Sequence, residues 1–216
     1  MAHIPDGVLS IPVLAAGAAV TVAGCAYGLK RLEAERIPQV GVLSSVFFVA
    51  SLVHFPVGPS SVHLILNGLT GVALGWAAFP AILVALLLQA VLFGFGGLVV
   101  LGVNVMNMAV PAVLCGLLFD AVRRRTGAES RWTMAAAAGA GMLGVLLTAL
   151  AVALVLGLSG KEFLPAARLV IVAHVPVMVI EGFFTAAAIG LLLRVKPEFL
   201  DRNPAPAADF TGEVAE

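Results

Sequence analysis

Charge is scarce in this chain. Among 216 residues there are 12 Lys and Arg and 12 Asp and Glu, so charged residues make up 11% and the formal net charge is zero. A soluble domain is about a quarter charged and half apolar. Here 61% of residues are hydrophobic and the mean hydropathy is +1.10. With no basic excess there is no electrostatic case for nucleic acid. Only two cysteines are present, Cys25 and Cys115, each inside an apolar run and without a CxxC partner. They read as buried thiols, not as a disulfide or a metal cluster. HExxH is missing, no Ser/His/Asp order is worth testing, and no glycine-rich stretch leads into the Gly-Lys-Ser/Thr of a nucleotide loop. Nothing here points to catalysis. The start carries no basic segment and no small-residue cleavage site, so it reads as retained and not as a signal peptide.

What remains is a set of long apolar runs, and a spanning helix needs about 20 such residues. The runs are Val8 to Leu29, Val40 to Val53, His63 to Phe79, Ala81 to Phe93, Val105 to Val122, Trp132 to Leu158 and Leu169 to Leu193. Lys30 to Arg36 closes the first, Pro80 marks a tight turn, and Arg123-Arg124-Arg125 ends the fifth. The expected fold is therefore all-α and membrane-embedded, with about seven transmembrane helices in one domain over residues 1–195. Residues 196–216, with three prolines and several acids, read as a disordered tail. Seven spans place the two ends on opposite sides. If the N-terminus is outside, ten of the twelve basic residues fall inside, and Lys161 and Arg168 alone stay outside. That bias sets N-out, C-in as the orientation, with a cytoplasmic tail.

In that orientation all four histidines lie on the outer side. His3 is in the polar leader, His54 and His63 flank the Pro- and Gly-rich connector before the third run, and His174 is near the outer end of the seventh. Imidazole is the commonest metal ligand at neutral pH. Met1 before a small residue such as Ala2 is normally removed. The chain then begins Ala2-His3, and its amine, the His3 amide nitrogen and the His3 imidazole offer three nitrogens in one plane. If Met1 stays, its amine and two amides complete four nitrogens with that imidazole. Either set suits square-planar Ni(II) or Cu(II). The competing reading is a disordered start with an incidental histidine, against which Pro5 and Asp6-Gly7 fix a turn.

His63 is the best further ligand, since it opens the third run after a Pro-Gly-Pro break. Asn67, one turn on, shares its face and is placed to orient the ring or cap the loop. His54 is either an outer partner or simply interfacial. His174 and Glu181, seven apart, share a face of the seventh run around Pro176. An intramembrane carboxylate is functional by default, and a supporting role fits Glu181 better than direct ligation. Gly94-Phe95-Gly96-Gly97, with Gly102, Asn104 and Asn107, reads as irregular backbone at membrane depth, tolerated where it lines or plugs a cavity. Ala15, Ala19 and Ala23 form a small-residue stripe, for packing within the bundle or for docking another subunit. No pair of inverted repeats is evident.

These motifs together resemble a known family. Met-x-His-Ile-Pro-Asp-Gly at the start, Pro59-Ser60-Ser61-Val62-His63-Leu64, Phe93-Gly94-Phe95-Gly96-Gly97 followed by Gly102-Val103-Asn104-Val105-Met106-Asn107-Met108, and Ala173-His174-Val175-Pro176 running to Glu181-Gly182 are similar to the CbiM/NikM family. Its members are the substrate-specific components of energy-coupling-factor cobalt/nickel transporters, and the likeness covers about residues 1 to 195. The resemblance implies a seven-helix bundle with the N-terminal loop inserted. It implies a nickel or cobalt ion, as substrate and not prosthetic group, held by the terminal amine, the amide and imidazole of the leader histidine, and a histidine from the loop before helix three. Those map to Ala2 (or Met1), His3 and His63; His54, Asn67, Asn104, His174 and Glu181 are candidates for supporting contacts. The family commonly begins Met-His, so Ala2 is an insertion that removal of Met1 would offset. The implied partners are a transmembrane coupling subunit, ATPase subunits and often a small accessory membrane protein, all in the cell (plasma or inner) membrane. A self-sufficient secondary metal permease, or a sensor with interfacial histidines, are the alternatives.

Overall fold

The computed structural model describes residues 3–57 and 60–201. Seven α-helices follow in order among them: α1 (Ile11–Lys30), α2 (Ile37–Ala50), α3 (Asn67–Leu74), α4 (Ala78–Phe93), α5 (Leu101–Thr126), α6 (Arg131–Ser159) and α7 (Leu164–Val195). Strands β1 (His54–Val57) and β2 (Ser60–His63) form an antiparallel hairpin between α2 and α3, with His54 opposite His63 in its register. Among the described residues five stretches are long and apolar enough to cross a membrane: α1, the segment Asn67–Phe93, α5, α6 and Lys161–Val195. The 14-residue α2 is too short for that class, and α3 has only 8 residues.

The third run does not form one span ending at Pro80, as expected. It breaks earlier, at Gly75, whose φ of 56° and ψ of −124° turn the chain into a short 3-10 segment, Gly75–Ala77. Pro80 then sits in the first turn of α4, where the missing N–H has no intrahelical partner to lose. The irregular stretch after Gly94 is also shorter than its composition implies. α5 starts at Leu101, so Gly102, Asn104 and Asn107 are helical.

The short α3 is the centre of the bundle, and all eight of its residues are buried. Glycines allow this. Gly71 lies against the Ala112 backbone of α5, and Gly68 against Ala140 and Gly141 of α6, with no room for a Cβ. On α1 the inward face is Gly17, Thr21, Gly24 and Gly28, set against Val103, Gly102, Phe79 and Trp76. The expected stripe of Ala15, Ala19 and Ala23 points the other way and is exposed, because glycine admits the neighbouring backbone where alanine would not.

At the end of the bundle away from the leader, Arg36 donates to the Ala73 carbonyl at 3.1 Å and to Gln39, and Gln39 donates to the Phe199 carbonyl at 2.8 Å. Burial lowers the Arg36 guanidinium from its ordinary pKa, and Glu33 pulls it partly back. The first part of the expected disordered tail is ordered here. Pro197–Leu200 form a 3-10 turn, Leu200 is buried, and Asp201 pairs with Arg123 at 2.6 Å. Residues 202–216 lie outside the described residues.

Candidate metal centre

The leader folds into the top of the bundle, and each of its turns has an anchor. His3 and Ile4 are buried while Pro5, Asp6 and Gly7 are exposed. Asn104 of α5 grips Ile4 as a strand partner would: the Ile4 N–H donates to Oδ1 at 3.1 Å and Nδ2 donates to the Ile4 carbonyl at 3.0 Å. Asp6 accepts from the Val100 N–H at 2.9 Å, so its carboxylate meets the positive end of α5. Gly96, at φ 78°, lies beside Asn104, His3 and Ile4, and Gly97 lies against Asp6. The glycine break thus packs over the leader.

His63 arrives from the hairpin. Its ring is buried, and Nδ1 is 2.8 Å from the Leu64 carbonyl. A carbonyl only accepts, so Nδ1 carries a proton, and in the neutral ring Nε2 is the nitrogen left to ligate. The His3 and His63 rings, sixty residues apart in sequence, stack with centroids 4.8 Å apart and planes at 12°. Three residues past His63, Leu66 adopts φ 52°. A branched side chain rarely takes that conformation. It is held by Glu181 of α7, whose carboxylate accepts from the Ile65 N–H and from the Leu66 N–H at 2.8 and 2.9 Å. Glu181 is fully buried, and it caps the α3 entrance directly behind His63.

The other sequence candidates are placed as follows. Asn67 does not orient a histidine. Its amide donates to the Met108 carbonyl (3.3 Å), the Gly144 carbonyl (3.2 Å) and Thr148 Oγ1 (2.8 Å), so it ties α3 to α5 and α6. Its position at the start of α3 turns it between those helices, away from the hairpin. His174 is buried on α7 with Nδ1 2.6 Å from the Val170 carbonyl. His54 is placed by its backbone register only, and Met1 and Ala2, which would supply the amine, lie outside the described residues. Among the described residues no group of three or more His, Cys, Asp or Glu side chains forms a ready cluster. The described part of the site is therefore two imidazoles, and imidazole suits Ni, Cu, Zn and Fe. The capping role of Asp6 and the Asn67–Thr148 bond were not foreseen from sequence; the Asp6-Gly7 pair signals a turn but not which helix end it meets.

The family model for the cobalt uptake substrate-specific transmembrane region, CbiM, matches residues 3–199. The chain belongs to the CbiM family. The match begins at His3 and ends in the turn that seals the opposite end of the bundle. A protein of Haemophilus influenzae named for metal transport is 45% identical over 202 residues, 93% of this chain and 98% of its own. The cobalt transport protein CbiM of Sorangium cellulosum is 30% identical, covering 93% of this chain and 95% of its own. The fused nickel transport protein NikMN of Rhodobacter capsulatus is 33% identical, covering 95% of this chain and 66% of its own. Among solved structures, the crystal structure of a truncated transition metal transporter superposes with a TM-score of 0.74 at 27% identity, covering 88% of this chain and 98% of that one.

Proposed function

We propose that this CbiM-family chain is the metal-capturing membrane subunit of an ATP-driven energy-coupling-factor importer for Ni2+ or Co2+. The ion enters from outside and is held by the leader amine (Ala2, or Met1 where retained), the His3 amide and imidazole, and His63 Nε2. The observation that carries the reading is the stacking of His3 on His63, both buried, at 4.8 Å. An apolar core has no packing reason to bring two imidazoles together, whereas a shared cation gives one. The names of the cobalt and nickel transport relatives support the ion class. In this reading all seven helices cross or enter the membrane, with the leader outside and the Arg123-Arg124-Arg125 end inside. Coupling and ATPase subunits supply the energy, and the exposed Ala15, Ala19 and Ala23 face of α1 is where the coupling subunit docks.

The mass of the mature chain, followed by Ni(II) and Co(II) titration of wild type, His3→Ala and His63→Ala, tests the site. Stoichiometric binding in wild type and loss in both variants are expected; undiminished binding in both sinks the site. Uptake that persists after deletion of the ATPase partners, and depends on a proton or ion gradient, would replace the importer with a secondary permease.

A further inference from the structure

The outer wall between α5 and α6 carries a feature that metal capture does not use. An open apolar groove of about 210 Å³ runs there, lined by Cys115, Leu118 and Val122 of α5 and by Ala136, Gly139 and Leu143 of α6. Gly139 is exposed and a Cβ built on it meets nothing within 4 Å, so the groove is real space beside it. Helical phase says what lies at its mouth. On α5 the stripe 115, 118, 122 continues to Arg125; on α6 the stripe 143, 139, 136 continues to Trp132. Trp132 is exposed, and the Arg131 guanidinium lies 5.4 Å from its ring centroid. Arg124 and Arg125 are exposed, while Arg123 is engaged by Asp201. Glu129 in the connector opposes them, which leaves an excess of positive charge.

We propose that this groove binds one anionic phospholipid. An acyl chain fills the channel past Gly139, and the phosphate meets Arg124, Arg125 and Arg131, with Trp132 at headgroup depth. Charge complementarity selects this occupant. A basic mouth on an apolar slot between membrane helices matches a negative headgroup on a hydrocarbon tail, and exposed Trp marks the membrane–water boundary. The slot is too small for a partner helix, which is about 10 Å across with its side chains. The acyl chain covers apolar groove wall, and the headgroup neutralises arginines crowded at one helix end. The site therefore joins α5 to α6, the two helices that carry Asn104 and the Asn67 acceptors.

Trp132 is itself the reporter. In the Trp76→Phe full-length chain it is the sole tryptophan. Reconstituted in bilayers at low ionic strength, it is titrated with phosphatidylglycerol brominated on its acyl chains and, separately, with brominated phosphatidylcholine. Saturable quenching at a lower mole fraction of phosphatidylglycerol is expected. Arg124→Gln/Arg125→Gln should weaken that preference by roughly five-fold per arginine. Gly139→Phe, at a position where a Cβ meets nothing within 4 Å, puts a ring into the slot and should abolish the saturable component while gel filtration and circular dichroism stay unchanged. Equal curves for the two lipids overturn the proposal. So does a phosphatidylglycerol preference that survives Gly139→Phe, which would be diffuse attraction to the arginines. So does absence of quenching by either lipid once partner subunits are bound, which would mean that a protein covers the groove.

Discussion

His3 and His63 reach the same point by different routes, and they are held by different chemistry. The leader side is a short loop whose Pro5, Asp6 and Gly7 face outward. Its buried part is fixed by a neutral amide, Asn104, through two ordinary hydrogen bonds to Ile4. The hairpin side feeds the most buried helix of the bundle and is fixed by a carboxylate, Glu181, on the N–H groups of Ile65 and Leu66. Releasing Glu181 would leave two buried main-chain N–H groups without an acceptor at once, a larger penalty than parting one exposed loop from a side-chain amide. In the proposed reading the leader side is the one that moves and the hairpin side the one that stays. That reading requires both, because an ion enclosed by two rigid walls would have no way in.

The same contrast governs pH, where the largest effect is expected. In the proposed site the proton displaced from an amine of pKa about 8, and the one from an amide, both belong to the leader. A neutral His63 ring ligates through Nε2 and releases none. Below about pH 8 each unit of acidification should therefore weaken Ni(II) binding roughly a hundredfold, two protons being displaced per ion. Metal titrations at pH 8, 7 and 6 measure this. A flat profile would mean that the leader amine and amide are not donors and that the leader is not the proton-bearing side.

Removing Glu181 comes next in size. Glu181→Leu leaves the Ile65 and Leu66 N–H groups buried without an acceptor, at about 1–3 kcal/mol each, and nothing then holds Leu66 at positive φ. Loss of about 3 kcal/mol or more is expected as a lower unfolding midpoint in detergent. Glu181→Gln, which keeps one acceptor oxygen, should recover part of it. An unchanged midpoint in Glu181→Leu would show that the hairpin side is not the fixed one.

Which of these features were visible in the sequence follows from the range of the forces involved. The helical runs, Gly94–Gly97 as a break and a turn in the leader were legible because apolar length and turn residues act locally; that the leader inserts into the bundle was what the family resemblance implied. Glu181 stood out because an isolated carboxylate in an apolar run is costly. Its partners did not, since they are main-chain N–H groups more than a hundred residues away and carry no side-chain signature. The partners of Asn67 were hidden for a related reason. Helical spacing puts it on the His63 side only if the helix already exists at His63, and the chain enters α3 through the left-handed Leu66 instead. Spacing alone left the Ala15, Ala19 and Ala23 stripe open between packing and docking, because it does not separate a stripe that packs from one that is left exposed. The break at Gly75 was hidden by the more obvious Pro80, which the first turn of α4 tolerates.

Asn104 offers the cleanest split between the two sides. Asn104→Leu preserves size on α5 but removes both bonds to Ile4. Metal affinity should fall about 10- to 100-fold, the usual cost of losing a group that orients a ligand. The unfolding midpoint should move much less than in Glu181→Leu, because the leader adds little to the core around α3. Equal damage to affinity and midpoint would merge the two sides into one cooperative unit.

Asp6 is the smallest lever and the most local. Its carboxylate accepts from the Val100 N–H, and Gly97 lies against it. Asp6→Asn keeps an acceptor oxygen and the shape, and removes only the charge facing the α5 terminus. A charge at a helix end contributes about 0.3–1 kcal/mol at an exposed position, so metal affinity should drop two- to five-fold, more at low salt than at high salt. Asp6→Ala removes the acceptor as well and should exceed that. If Asp6→Asn matches Asp6→Ala, the charge and not the hydrogen bond holds the leader. If neither changes affinity, Asn104 alone fixes the leader, and the movable side of the site hinges between Ile4 and the start of α1.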